Sequence, residues 1–124
     1  MNSVQHFEVP YDDQERVSNF YSTVFGWKTT DILGDTVLVD TTETDNGTPK
    51  NPGAINGDYY KRDDKLKHPL LVITVENIDE HLVKIVEAGG SVEVPKTPVA
   101  DMGWCAYFKD SEGNVLGVWE NAMQ

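Results

Sequence analysis

Cysteine is nearly missing from this 124-residue chain: Cys105 stands alone, so no disulfide can form within it and bridges impose no oxidising compartment. Cys105 lies in an apolar stretch with no basic residue close in sequence to lower its pKa, which predicts a buried, inert thiol. Long hydrophobic runs are missing too. No segment approaches the roughly 20 apolar residues of a membrane-spanning helix. The opening MNSVQHFEVP has neither the basic nor the apolar region of a signal peptide, and a cytoplasmic location is expected. Basic residues are scarce, 10 against 21 acidic ones, for a net charge of −11. A surface of that sign repels phosphate backbones and anionic membranes, so neither nucleic acid nor membrane is expected as a partner.

What is present suits a single globular domain over 1–124, long enough to bury a core without a structural metal. Val4 to Val9 alternates apolar and polar residues as a strand does, and Pro10 is expected to end it. Asp12 and Asp13 offer helix caps, Asp12 with Glu15 fitting a capping box. Val17, Phe20, Tyr21 and Val24 then fall on one helical face, with Gly26 as the stop. Trp27 to Asp31 and Asp35 to Asp40 read as strands about a turn at Leu33-Gly34. Thr41 to Pro52 reads as a loop, Gly53 to Tyr60 as a strand with two glycines, and Lys61 to Lys67 as a charged, solvated linker. Pro69 to Val75 reads as a strand buried on both faces. Asn77 caps a second helix, whose stripe is Ile78, Leu82, Ile85 and Val86, and Gly89-Gly90 stops it. Ser91 to Val94 reads as a short strand ended by Pro95 and Pro98. Trp104–Phe108 and Val115–Glu120 form a hairpin around Asp110-Ser111-Glu112-Gly113-Asn114.

The two halves repeat: strand, helix, three strands. A shift of 64 residues aligns Asp13 with Asn77, Gly26 with Gly90, Phe7 with Leu71 and Val9 with Ile73. Such self-similarity is a fold-level signal. It divides the chain into a first module of about 1–62 and a second of about 67–124.

Three stretches then carry a resemblance: HFEVPYDDQERVSNFYSTVFGW, VENIDEHLVKIVEAGGSV and YFKDSEGNVLGVWE. Together they span nearly the whole chain, which resembles the vicinal oxygen chelate superfamily of glyoxalase I, bleomycin-resistance proteins and extradiol dioxygenases. The resemblance implies an α+β fold, two paired βαβββ modules whose largely antiparallel sheet curls into a cup. It also implies a metal or a small molecule in that cup, often in a homodimer.

The family's enzymes place metal ligands on the first and last strands of each module. His6 matches the first such position. Its counterpart at the same offset in module two is Leu70, which cannot bind a metal. The last-strand position, three residues after Asn114, is Gly117, and a shift of 64 residues takes it to Gly53, or to Ala54 with a one-residue slip. One imidazole does not hold a divalent ion, so no metal cofactor is expected. A rearranged set of His6, His68 and Glu120 is the alternative, which would make the protein a lyase, isomerase or dioxygenase. The favoured expectation is a metal-free cup for a small organic ligand, lined by His6, Glu8, Gly53, Trp104, Tyr107, Gly117 and Trp119. Here the two glycines open space and the aromatics supply walls. His6 and Glu8, two apart on one strand, would orient that ligand or act on it as acid and base. Which face of the Trp104–Phe108 strand looks into the cup is left open at this level. A third alternative is a structural or regulatory module without chemistry.

Overall fold

The computed structural model describes residues 1–122. The elements follow in the order β1 (Val4–Tyr11), α1 (Gln14–Phe25), β2 (Lys28–Leu33), β3 (Thr36–Asp40), β4 (Thr44–Asp45), β5 (Thr48–Pro49), β6 (Asn56–Lys61), β7 (Leu70–Thr74), α2 (Ile78–Glu87), β8 (Ser91–Val99), β9 (Gly103–Lys109) and β10 (Val115–Asn121). This is an α+β fold of two βαβββ modules, the first with an added β4–β5 hairpin. The chain divides into two compact units: His6–Pro69, and Leu70 onward together with Met1–Gln5.

In the first unit the strands lie in the order β2-β3-β6-β1. β1 runs parallel to β6, and the other two pairings are antiparallel. Val37, Val39 and Tyr59 are almost fully buried and form the core with Tyr11, against which Phe7, Val9, Val17, Tyr21 and Trp27 pack. Tyr21 stacks on Trp27 with ring centroids 4.6 Å apart. Asp13, not Asp12, caps α1, its carboxylate accepting from the Arg16 amide at 2.9 Å, which satisfies one of the helix's orphan donors. Gly26 ends the helix in the left-handed region, at φ 74°. The expected stripe of α1 is only half covered: Val17 and Tyr21 meet the core, while Phe20 and Val24 are exposed.

Several boundaries move. β1 continues through Pro10, which stays in register with Tyr60, since a proline is tolerated where its missing amide would face away from the paired strand. The stretch 41–52 contains the β4–β5 hairpin, whose turn residues Asn46 and Gly47 both have positive φ, the backbone that an Asn-Gly pair favours. The charged linker is not wholly solvated. Leu66 is buried, Tyr60 donates its hydroxyl to the His68 carbonyl, and Arg62 donates to Asp12 and to the Lys67 carbonyl.

In the second unit the order is β7-β10-β9-β8. β7 and β10 are parallel and the others antiparallel. Ile78, Ala106, Val118, Val75 and Phe108 form the core, with Ile73, Leu82, Ile85, Trp104 and Leu116 packed on it. Asn77 caps α2 by accepting from the Glu80 amide. β7 is not buried on both faces: Leu70 and Val72 are, whereas Leu71 is 48% exposed. Val86 is exposed as well, and the left-handed glycine after α2 is Gly89, not Gly90. β8 runs through both Pro95 and Pro98. Among the described residues of its unit it pairs only with β9, and it carries two register shifts; an edge strand with bulges accommodates proline. Asp110 organises the last turn by accepting from the Glu112 and Asn114 amides, and Gly113 alone in it takes a positive φ.

Candidate ligand-binding site

In the first unit, register sets the site. β1 and β6 place His6 opposite Asn56 and Glu8 opposite Asp58. Strand alternation turns Phe7, Val9 and Tyr59 toward α1, and therefore turns His6, Glu8, Asp58 and Tyr60 toward the other face. Gly57 allows this close pairing: a Cβ there would sit 2.5 Å from the Phe7 carbonyl oxygen and 2.7 Å from its ring.

His6 Nε2 lies 2.7 Å from Asp58 Oδ2. The Asp58 side chain is 7% exposed and that of His6 32%, so the imidazole is the part of this contact that meets solvent. Burial drives the Asp58 carboxyl up to about 7, against a smaller opposing pull from its hydrogen bond with Glu8. Burial also lowers the His6 pKa, and the nearby Glu8 carboxyl raises it. Glu8 is itself buried, at 6% exposure. Two carboxyls in hydrogen-bond contact cannot both ionise cheaply in a low-dielectric setting, so the pair retains a proton near neutral pH. Tyr60 is raised in the same surroundings, by burial first and then by Glu8. Asn56, on the same face of β6, accepts from the Thr41 amide and donates to Thr44, which fixes the connection leading to the β4–β5 hairpin.

The second unit has the same frame and a different lining. Val72 pairs with Gly117, Gly117 with Tyr107, and Trp119 with Cys105. A Cβ on Gly117 would lie 3.2 Å from both Tyr107 and Val72. Leu70, Val72, Tyr107, Gly117 and Trp119 therefore share the face opposite α2, an almost wholly apolar surface. The Trp119 indole donates to Asn121 at 2.7 Å.

The sequence-derived residues separate accordingly. His6 and Glu8 come together, and Tyr107, Gly117 and Trp119 come together in their own unit. Trp104 does not join them. It faces α2, packs on the core of the second unit and carries Lys96 Nζ 5.0 Å above its ring. Cys105 is partly buried, not fully. Gly53 lies before β6, in a turn at φ 88° with open space around it, and so does not hollow out a strand. Because Glu8 and Val72 are 64 apart and pair with Asp58 and Gly117, the first-module counterpart of Gly117 is Asp58 rather than Gly53. The 41–55 connection of module one is longer than the 110–114 turn of module two, and the uniform shift fails across it. Asp58 was thus hidden from the repeat. Its trace in the sequence is an acidic residue embedded in a strand run, Asn56 to Tyr60.

The rearranged metal set is divided between the units, with His6 and His68 in the first and Glu120 in the second. Glu120 faces α2, where its Oε1 accepts from the Ile78 amide at 2.8 Å and stands 3.8 Å from Lys96 Nζ. His68 is exposed on the linker. Among the described residues no group of three or more His, Cys, Asp or Glu is arranged to hold a metal ion. His6 and Asp58 stand where two ligands of a four-ligand site would, but Leu70 and Gly117 occupy the matching positions of module two. The donor set does not fit such a site.

Comparison with known proteins is consistent across sequence and structure. The family model for the Glyoxalase/Bleomycin resistance protein/Dioxygenase superfamily matches residues 3–118. Among curated proteins, "Putative glyoxylase CFP32" of Mycobacterium tuberculosis is 29% identical over 118 residues, covering 87% of this chain and 41% of its own length; the Mycobacterium bovis protein of that name matches equally. The chain thus spans under half the length of these relatives. Among solved structures, the hypothetical protein BH1468 from Bacillus halodurans superposes with a TM-score of 0.66 at 14% identity, covering 99% of this chain and 96% of its own. Methylmalonyl-CoA epimerase from Mycobacterium tuberculosis gives 0.66 at 14% identity, covering 96% and 87%. Both show the shared fold.

Proposed function

The chain belongs to the Glyoxalase/Bleomycin resistance protein/Dioxygenase superfamily, and from that premise we propose that it binds a small organic molecule, without a metal ion, on the polar face of its first module. The observation that carries this reading is the 2.7 Å contact of His6 with the buried Asp58, with Glu8 beside it. A position that the family resemblance would give to a metal ligand is here engaged by a side-chain contact within the chain. A buried polar group is costly unless partnered, and an otherwise apolar fold retains such groups most readily where they do work. The test is a thermal-shift screen of small organic compounds on wild-type protein and on His6→Asn. A hit should raise the melting temperature of the wild type and lose most of that effect in the variant. Equal stabilisation of both proteins would remove His6 from the site and with it this reading.

A second reading, an enzyme, draws on the same contact. An imidazole with one nitrogen bonded to a buried carboxyl and its ring partly open to solvent is placed to move a proton, and the mycobacterial relatives carry a glyoxylase name. Turnover separates the two readings. Consumption of a bound compound by the wild type but not by His6→Asn supports catalysis; binding without consumption supports a carrier or sequestering protein.

A further inference from the structure

We infer that the ligand of this face is an organic cation, whose ammonium or amidinium group seats against the Asp58 and Glu8 carboxyls next to His6. The inference rests on the binding reading above and specifies its chemistry.

Three observations carry it. First, Asp58 has one satisfied oxygen and one unsatisfied. Oδ2 meets His6, whereas Oδ1 is buried and has no hydrogen-bond partner among the described residues. A buried acceptor left without a donor is uncommon and unfavourable, and here it asks for an N–H or a cation. The Asp58 carboxyl also meets Glu8, which can donate to it only while the pair holds a proton. Second, no fixed cation is assigned to Asp58. Its single ion-pair partner among the described residues is His6, which burial holds toward the neutral form. Arg62, just beyond Tyr60, is turned to Asp12 at 3.0 Å and to the Lys67 carbonyl. Third, the chain's net charge of −11 attracts cations at long range and repels anions. A ligand carboxylate or phosphate would meet the buried Asp58 carboxyl, whose one ion-pair partner among the described residues is the His6 imidazole. A neutral alcohol could donate to Oδ1 but would leave the pair sharing its proton. An ammonium or amidinium donates several hydrogen bonds and lets both carboxyls ionise, gaining charge-assisted contacts that the other two classes lack. His6 is the most exposed member of the group.

Three probes of one shape and different charge test this: benzylammonium, benzyl alcohol and benzoate, titrated into isotope-labelled full chain and followed through backbone amide shifts. Benzylammonium should shift the amides of His6–Val9 and Asn56–Tyr60 and saturate. The other two should leave them in place. Asp58→Asn should weaken benzylammonium at least tenfold, and Glu8→Gln serves the same purpose if the first variant does not fold. Should benzyl alcohol or benzoate bind there as tightly as benzylammonium, or the variant bind undiminished, the cation inference falls while the binding reading stands. Should none of the three shift those amides, the inference falls and the binding reading loses its support with it.

Discussion

The two modules share a frame and differ in what they put on it. In each, a capped helix covers one face of a four-stranded sheet, and the first strand runs parallel to the last. On the face away from the helix, module one carries His6, Glu8 and Asp58, and module two carries Leu70, Val72 and Gly117 at the paired positions. Module two shows that the fold needs no polar group there. The buried carboxyls of module one are therefore not a structural requirement, and burying them works against stability. That contrast is what supports the proposed ligand-binding role of the polar face.

The comparison can first be broken in the cores, where the modules should behave alike. Tyr59→Ala in module one and Ile78→Ala in module two each empty an almost fully buried site. Chemical denaturation should show losses of about 3–5 and about 2–5 kcal/mol respectively. A near-neutral result in either would mean that its module is not held by the core described.

Asp58 should distinguish the modules next. Its folded pKa, about 7, stands above the ordinary 3.8, so the folded state holds a proton that the unfolded chain has already released. The stability this group contributes is full below about 3.8 and falls as the pH rises to about 7, by no more than about 1.4 kcal/mol per unit. His6 acts in the opposite sense. Its pKa is lowered from 6.5, so its contribution grows as the pH rises toward 6.5. The other groups facing this pair are Glu8 and Tyr60, the latter also feeling Arg62 and Asp63. Asp58→Asn should therefore gain on the wild type between pH 4.5 and 7.5 in denaturant midpoint, and His6→Asn should steepen the wild-type decline. An Asp58→Asn protein whose stability runs parallel to wild type across that range would show that the carboxyl is not buried in this way.

Glycines sharpen the contrast at a smaller scale. Gly57→Ala drives a methyl against the Phe7 backbone and ring and should cost on the order of 1–3 kcal/mol. Gly117→Ala meets only the side chains of Tyr107 and Val72, at 3.2 Å, and should cost less than about 1 kcal/mol. Reversal of that order in thermal denaturation would mean that β1 and β6 do not approach as described. The smallest and most symmetrical effect is in the caps. Asp13→Ala and Asn77→Ala each remove one side-chain acceptor from a helix N-terminus and should cost about 1 kcal/mol apiece.

The fold was largely legible because its signals are local. Asp13, Gly26 and Asn77 read directly as helix punctuation, and the Asp110–Asn114 turn as a hairpin. Prolines misled, because Pro10, Pro95 and Pro98 read as strand ends while an edge strand or an amide facing away accommodates them. The site was half legible. His6 and Glu8 declare themselves by alternation on one strand. Asp58 does not, because its partnership with Glu8 is a pairing across about 50 residues, set by a connection whose extra length no local pattern reports. Trp104 is a candidate ligand wall in the sequence with the facing of its strand left open, and the packing against α2 shows which way that strand faces.

The central claim is that the polar group of His6, Asp58 and Glu8 serves its ligand without a divalent ion. It is tested most directly by following the His6 ring resonances of chelator-stripped protein while Zn2+ or Ni2+ is added to one equivalent. The account predicts that the resonances stay in place through equimolar metal. A stoichiometric shift or broadening, lost in Asp58→Asn, would contradict it.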